Sequence, residues 1–189
     1  MYQQNIPLIL ASKSPRRQEL MQAMGLQFEV VLKDVDESYP ENLSPAAIAC
    51  YISEKKAKAF TAERLTSLVI TADTIVAYNG EILGKPADAT DAKVTLTKLS
   101  GTTHQVFTGV SLAYQDKLTT FYDETEVCFR PLTEAEIDHY ILHYKPLDKA
   151  GSYGIQDWLG FIAVEKITGS YTNVMGLPTE KLYSALSNF

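Results

Sequence analysis

The sequence predicts an α/β fold, and three observations carry that expectation. Strand-type and helix-type segments alternate along the chain. The length of 189 residues suits one domain with a sizeable core. The composition is that of a globular chain, 46% hydrophobic and 21% charged, with no low-complexity tract. Residues 1–189 read as a single unit, without internal repeat or linker.

The elements follow in order. Residues 6–11 read as a strand that breaks into small hydroxyl residues. Ser14 then stands at a helix N-cap position and Pro15 at the first helical position, opening a helix over 15–25 that Gly25 ends. Residues 27–32 read as a second strand, and 34–42 as an acidic loop. Ser44-Pro45 repeats the cap-plus-proline start and opens a helix to about Glu63, along which Ile48, Ile52, Lys56 and Phe60 share one stripe. Residues 68–78 form a long strand, and Asn79-Gly80 is a two-residue hairpin turn into Glu81-Ile82-Leu83. Ala92, Leu96 and Leu99 mark a helix, followed by strands near 104–114 and 118–130. Thr133-Glu134-Ala135-Glu136 is a capping box, and Pro146 stops the helix it opens. After a glycine-rich loop, 159–167 reads as a strand, and Pro178 starts a C-terminal helix with Leu182 and Leu186 inward.

Charge narrows the function classes. The chain has 17 basic and 23 acidic residues, a net charge of −6. That argues against a nucleic-acid-binding surface, which shows a basic footprint. Local basic clusters at Arg16-Arg17 and Lys55-Lys56-Lys58 still suit a small phosphorylated ligand. No apolar run approaches the ~20 residues of a membrane span, and nothing resembles a signal peptide. Cys50 and Cys128 lack CxxC spacing and read as reduced core residues. A cytoplasmic setting, with no membrane partner, is expected.

Several segments could carry chemistry. Arg16 and Arg17 occupy the first turn of a helix, where the macrodipole favours anions over cations. Two readings fit: solvated surface charge, or a polyanion on which guanidinium forks and free N–H groups converge. Asp73 lies inside the apolar run 68–76, where an uncompensated carboxylate costs several kcal/mol. By alternation it shares a face with Val69, Thr71 and Ile75, while Thr74 faces the other way. It is either a strand-end aspartate at solvent or half of a structural ion pair, or else a metal ligand or general base. The loop Asp34-Val35-Asp36-Glu37 offers hard oxygen ligands, though such loops are commonly just solvated. Lys56 either snorkels to water or points into a phosphate site. Gly80–Lys85 fails as a P-loop, since its glycines are one residue too close and Pro86 replaces the Ser/Thr, but Lys85 can reach a phosphate from the hairpin. The loop 148–156 combines flexible backbone, an aromatic face and the Gln156 amide, which suits reading a base edge or simply making a turn. His139 and His143 have i,i+4 spacing but no third ligand, and read as an exposed helix face.

In this order, Leu10–Arg17, Asp36-Glu37, Lys56-Ala57, Ala72-Asp73-Thr74, Gly84-Lys85-Pro86, Leu99-Ser100-Gly101, His104-Gln105-Val106, Asp148–Gln156 and Gly176-Leu177-Pro178 resemble the Maf family of nucleotide pyrophosphatases. The likeness runs from residue 8 to the C-terminus. It implies a mixed, elongated sheet flanked by helices, with two lobes around a deep cleft. It further implies hydrolysis of a nucleoside triphosphate to the monophosphate and pyrophosphate, with a divalent cation (Mg, Mn or Co) as cofactor. Carried over by position, Asp73 would be the catalytic proton acceptor, and Glu37 and Asp73 would hold the metal. Ser12, Arg17, Lys56 and Lys85 would bind the triphosphate. Arg16, Thr74 and Gln156 would select the base, as in the branch acting on dTTP and UTP. The branch acting on methylated guanosine triphosphate carries tryptophan, glutamine and glutamate near these places, which suits a cationic base. Lys13 and Asp157-Trp158 depart from the family pattern, where a small residue and a glycine are usual. The alternatives are a non-catalytic nucleotide sensor tied to cell division and a methylated-GTP pyrophosphatase. Oligomeric state is open, a homodimer being compatible.

Overall fold

The structure, a computed structural model, describes residues 5–189. One mixed sheet of seven strands runs through it: β1 (Leu8–Leu10), β2 (Phe28–Val30), β3 (Leu68–Tyr78), β4 (Glu81–Leu83), β5 (Thr103–Tyr114), β6 (Lys117–Phe129) and β7 (Val164–Thr168). The order is β2-β1-β3-β5-β6-β7, with β4 also on β3. β1 is parallel to β2 and β3, and the later pairings are antiparallel. Seven α-helices flank it: α1 (Pro15–Ala23), α2 (Pro45–Lys58), α3 (Ala89–Leu99), α4 (Glu134–Tyr144), α5 (Trp158–Ala163), α6 (Tyr171–Met175) and α7 (Thr179–Leu186). Among the described residues no helix is long and apolar enough to cross a membrane.

The long strands β3, β5 and β6 make the sheet elongated, and their alternation divides it. Val69, Ile75 and Phe107 face α2, packing with Ala57 and Phe60 at one end and with Ile48 and Ile52 at the other. Leu68, Ile70, Val110 and Leu112 face the opposite way, against Leu20, Met21, Leu182 and Leu186 of α1 and α7. Further along that second face, Val76, Val106, Val127 and Phe129 pack with Leu96, Leu99, Ile137, Tyr140 and Leu159 of α3, α4 and α5. These two cores on one face are the two lobes. Polar residues of β3, β5 and β6 fill the stretch between them, and α6 covers it.

β3 carries the constraint that makes a site. One of its edges is paired with β5 over residues 69–77. On the other edge β1 pairs only with residues 68–70 and β4 only with 76–78. The stretch 71–75 therefore has no strand neighbour on that edge. Both faces of the sheet open into the gap at the carboxyl end of β1, where ligands of open α/β sheets characteristically sit.

Most elements match their sequence signals. The capping box at Thr133 forms in full, and Ser44 accepts from the Ala47 N–H. Ser14 occupies the α1 N-cap, but its side chain makes no capping bond. β1 and β2 keep only three residues each of the expected strands, and α2 stops at Lys58, before a 3-10 turn over Glu63–Leu65. The expected strand over 159–167 is wrong in its first half, which is helix α5, and only Val164–Thr168 pairs as β7. Leu159 and Ala163, four residues apart, are buried together, and Gly160 lies so close to Ile155 that a Cβ there would meet its carbonyl oxygen at 1.8 Å. α6 had no expectation at all. Cys50 and Cys128 are free thiols, but half-buried rather than core.

Two buried positions give measurable consequences. Gly109 on β5 pairs with Asp73, and a Cβ there would sit 2.4 Å from the carbonyl carbon and oxygen of Ala49 on α2. Only glycine lets α2 lie this close to the sheet. Gly109→Ala should cost about 1–3 kcal/mol, the usual cost of overpacking. The denaturant midpoint checks this, and an unchanged midpoint would show that α2 shifts freely. His104 is fully buried, with Nε2 2.8 Å from the Tyr153 hydroxyl and Nδ1 without a partner. Burial pushes its pKa down to about 4. Because the unfolded chain then binds the proton more readily, stability is fully present above about pH 6.5 and is lost as the pH falls toward 4, by roughly 3 kcal/mol. Urea unfolding at pH 7 and pH 4.5 should show a smaller acid loss for His104→Gln than for the wild type. Equal losses would remove His104 from the acid response.

Candidate active site

The gap beside β3 opens into a cleft of about 370 Å³ lined by the 11–17 segment, Glu37, Lys56, Asp73, Thr74, Lys85, the 148–156 loop and Gly176. It thus joins the nine residues that the resemblance assigns to the site: Ser12, Arg16, Arg17, Glu37, Lys56, Asp73, Thr74, Lys85 and Gln156. Seven basic but only four acidic side chains line it, in a chain of net charge −6. Such a local reversal of sign attracts anions.

The floor of the cleft is an ion triad. Asp73 points from the α2 face of β3, and Lys56 reaches it from α2, with Nζ 2.8 Å from Asp73 Oδ1 and 2.8 Å from Glu37 Oε1. Lys56 and Asp73 are mostly buried, so each needs the other to offset desolvation. Burial works to raise the Glu37 pKa, but the Lys56 hydrogen bond and the charges of Lys56, Lys85 and Arg17 outweigh it, and the net shift is downward. The other acids of that loop are engaged elsewhere: Asp36 accepts from Lys55 and Ser38, and exposed Asp34 lies 3.7 Å from Lys13. Of the loop, Glu37 alone meets Asp73's partner.

Arg17 lines the cleft and is anchored by protein acceptors. Its Nε donates to the Gly176 carbonyl, Nη1 to Ser12 Oγ and the Ala72 carbonyl, and Nη2 to Thr74 Oγ1. Four of five N–H groups are thereby spent on protein acceptors. Burial lowers its pKa, and the charge of Asp73 opposes that. The guanidinium takes over the edge of β3 where strand pairing stops.

Thr74 continues this network. Its Oγ1 lies 3.0 Å from Thr108 Oγ1, and Thr108 donates to the Asn173 carbonyl. A hydroxyl has one proton, so Thr108 accepts from Thr74, and Thr74 accepts from Arg17. The chain runs one way, from Arg17 through Thr74 and Thr108 to α6. Asn173 Nδ2 continues the anchorage, donating to the Val106 carbonyl and Thr125 Oγ1. Nothing in the spacing of the sequence marks Thr108 or Asn173 as continuing the chain that starts at Arg17.

The remaining residues offer donors to the cleft. Ser12 Oγ accepts from the Ser14 N–H and from Arg17, which leaves its own proton to donate. The N-terminus of α1, with no acidic residue in its first turn, faces the same space. Lys85 lines the wall after β4. Arg16 lies 3.6 Å from Asp148 across the cleft mouth, and Gln156 Oε1 is buried without a partner. Lys149 also lines the cleft, which the sequence reading passed over although it lies within the 148–156 motif. His139 and His143 are exposed, their rings tilted against each other at 4.4 Å, and His139 also meets the Trp158 ring at 4.8 Å, away from the cleft. Among the described residues no three acidic, His or Cys side chains cluster as a metal cage.

Arg17→Lys tests the scaffold role. A single ammonium cannot reach four separated acceptors, so stability should fall by about 3 kcal/mol, the cost of leaving buried partners of a charged donor unpaired. Urea denaturation measures it. Lost activity with an unchanged midpoint would return the guanidinium to the substrate.

With this geometry in place, relatives can be compared. The profile of the family described as "Maf-like protein" matches residues 7–189. A dTTP/UTP pyrophosphatase of Phocaeicola vulgatus is 51% identical over 181 residues, covering 95% of this chain and 94% of the relative. A dTTP/UTP pyrophosphatase of Cytophaga hutchinsonii is 48% identical over 182 residues, covering 96% of this chain and 84% of the relative. Among solved structures, the nucleoside-triphosphatase / dITP/XTP pyrophosphatase of Mycobacterium abscessus matches with a TM-score of 0.48 at 15% identity, over 95% of this chain and 94% of that one. Matched from residue 7 to its last, and about half identical to these relatives, the chain belongs to the Maf-like protein family.

Proposed function

We propose that this chain is a nucleoside triphosphate pyrophosphatase that hydrolyses dTTP and UTP to the monophosphate and pyrophosphate, acting on a cytoplasmic nucleotide pool. The observation that carries the reading is the Asp73–Lys56–Glu37 triad on the floor of a cleft whose walls are basic. The names of relatives about half identical over nearly the whole chain support the substrate.

The roles follow from position. The oxygen of a water attacks the α-phosphorus, Asp73 takes the water's proton, and the bond to the β-phosphate breaks to release pyrophosphate. Lys56, Lys85, the Ser12 hydroxyl and the α1 N-terminus face the charge that develops on the leaving group. Arg17 holds Ser12 and the strand edge behind them. Two carboxylates that share one ammonium fit a divalent cation, because Mg²⁺-type ions take one or two protein carboxylates and complete their shell with phosphate and water. Asp73 and Glu37 would hold it, and when bound it neutralises phosphate charge. Gln156 would match a neutral pyrimidine edge, which has both carbonyl acceptors and an N–H. The carboxylate next to it, Asp157, is taken by Tyr140 and Lys149, so none is offered to a cationic methylated guanine.

A panel of nucleoside triphosphates with Mg²⁺, Mn²⁺ or Co²⁺ tests the proposal. The expected products are monophosphate and pyrophosphate in equal amounts, with dTTP and UTP turned over best and chelation reversibly stopping the reaction. Asp73→Asn should lose at least ~10²-fold in kcat while remaining folded. Orthophosphate as the first product, or a folded and active Asp73→Asn protein, would sink the reading.

A further inference from the structure

We propose that Asp157 and Tyr140 are positioning residues for base selection, holding Gln156 at the cleft wall and linking it through Lys149 and Asp148 to Arg16. The proposal rests on the dTTP/UTP reading above and names the device that keeps its base-recognition residues in place.

Gln156 sits in a tight turn. The Asp157 N–H donates to the Gly154 carbonyl at 3.0 Å, so residues 155 and 156 are its two central positions. The Gly154 N–H donates to the Tyr140 hydroxyl at 3.0 Å, and that hydroxyl donates to Asp157 Oδ2 at 2.9 Å. These three bonds close a ring through both ends of the turn. Tyr140 is fully buried, which makes its oxygen a fixed post. The fit leaves no room for alternatives, because a Cβ on Gly154 would lie 2.5 Å from Asp157 Oδ2. On the far side, Gly160 presses against the Ile155 carbonyl. The backbone is thus gripped both before and after Gln156.

Asp157 gives up another use of its side chain for this one. It stands at the N-cap of α5 yet makes no capping bond, although an Asp there is commonly worth ~1 kcal/mol. The carboxylate turns back over the loop instead. A glutamine oxygen that is buried without a partner needs such support, since left to itself it would rotate toward water.

The same carboxylate ends a row of alternating charges. Lys149 Nζ lies 3.8 Å from Asp157 Oδ2 and 2.8 Å from Asp148 Oδ1, and Asp148 Oδ2 lies 3.6 Å from Arg16 Nη1. Arg16 belongs to α1 in one lobe, whereas Tyr153 and Ile155 of the loop pack in the core of the other. The row therefore fixes the two base-facing side chains relative to each other across the mouth of the cleft. Within it, Asp148 is exposed but held by Lys149, while Lys149 and Asp157 are mostly buried and set the geometry.

Steady-state kinetics with dTTP and dCTP, on the full-length protein with metal, tests this. Asp157→Ala and Tyr140→Phe should each lower kcat/KM for dTTP about tenfold, chiefly through KM, because ångström-scale misplacement of a recognition group has effects of that size. The ratio of dTTP to dCTP efficiency should shrink with it. Asp157→Asn keeps an acceptor for Tyr140 but loses the charge facing Lys149, and should fall between. A role confined to folding would lower both nucleotides alike and leave the ratio untouched. If Asp157→Ala fails to fold, Tyr140→Phe, which removes one oxygen, and Lys149→Met decide. A selective wild type with unchanged ratios in the folded variants overturns the brace alone. A wild type with no preference for dTTP overturns the substrate reading and the brace together.

Discussion

Everything at this site depends on the unpaired stretch of β3. A strand edge inside a protein presents N–H and C=O groups that must find partners, or the fold bears the cost of burying them bare. β1 ends at Leu10 and β4 returns only at Glu81, so residues 71–75 lose their neighbour on one side. Arg17 supplies the missing partner by donating to the Ala72 carbonyl, and its other N–H groups tie in the loop after β1 and the end of α6. The gap that results exposes neighbouring residues of one strand from opposite faces. Asp73 looks toward α2 and Thr74 toward α6, yet both line the same cleft.

The electrostatics follow from that geometry. Two unit charges 4 Å apart attract by roughly 4 kcal/mol near a protein surface, and the burial of Lys56 and Asp73 costs a comparable amount, so the pair is close to balance. Glu37 tips it, placing a second carboxylate on the same ammonium from a loop that is otherwise exposed. Before any ligand arrives, then, each buried charge of the cleft floor is satisfied. The basic excess lies on the walls, at exposed Lys85, at Arg16 beside Asp148, and at the α1 N-terminus. An acidic protein of net charge −6 thereby presents one concave surface of the opposite sign.

Much of this could be read from the sequence, and the failures have physical causes. Asp73 declared itself because a carboxylate inside an apolar strand needs a partner, but nothing in the sequence identified Lys56, on the stripe with Ile48 and Ile52, as that partner. Alternation correctly separated Asp73 from Thr74. The first half of the expected strand over 159–167 was misread because a short apolar segment has no periodicity of its own to separate helix from strand. What decided it was the contact of Gly160 with the Ile155 carbonyl, a feature of three dimensions. Gly109 could not be understood from its strand either, since its reason is the backbone of α2 opposite. The protein acceptors of Arg17 were not legible either, because a guanidinium fork meets a phosphate oxygen and a peptide carbonyl with the same chemistry. Sequence spacing does not say which of the two will be there.

The case of Thr74 shows how a residue can affect a ligand without touching it. The likeness to the dTTP/UTP branch marks Thr74 as a discriminating position, and its hydroxyl is fully used by Arg17 and Thr108. Both ends of that chain lead back to the cleft. Arg17 holds Ser12 at one wall, and Thr108, through the Asn173 carbonyl, holds α6, whose end at Met175 and Gly176 lines the other. A glutamine at position 74 would bring a longer side chain with two donors into a chain that accepts one proton at each step. The direction of the hydroxyl chain would break, and α6 would have to move relative to β3. The Thr74 hydroxyl thus couples Arg17 to α6 through hydrogen-bond direction and packing, while the side chains of Arg16 and Gln156 line the same cleft.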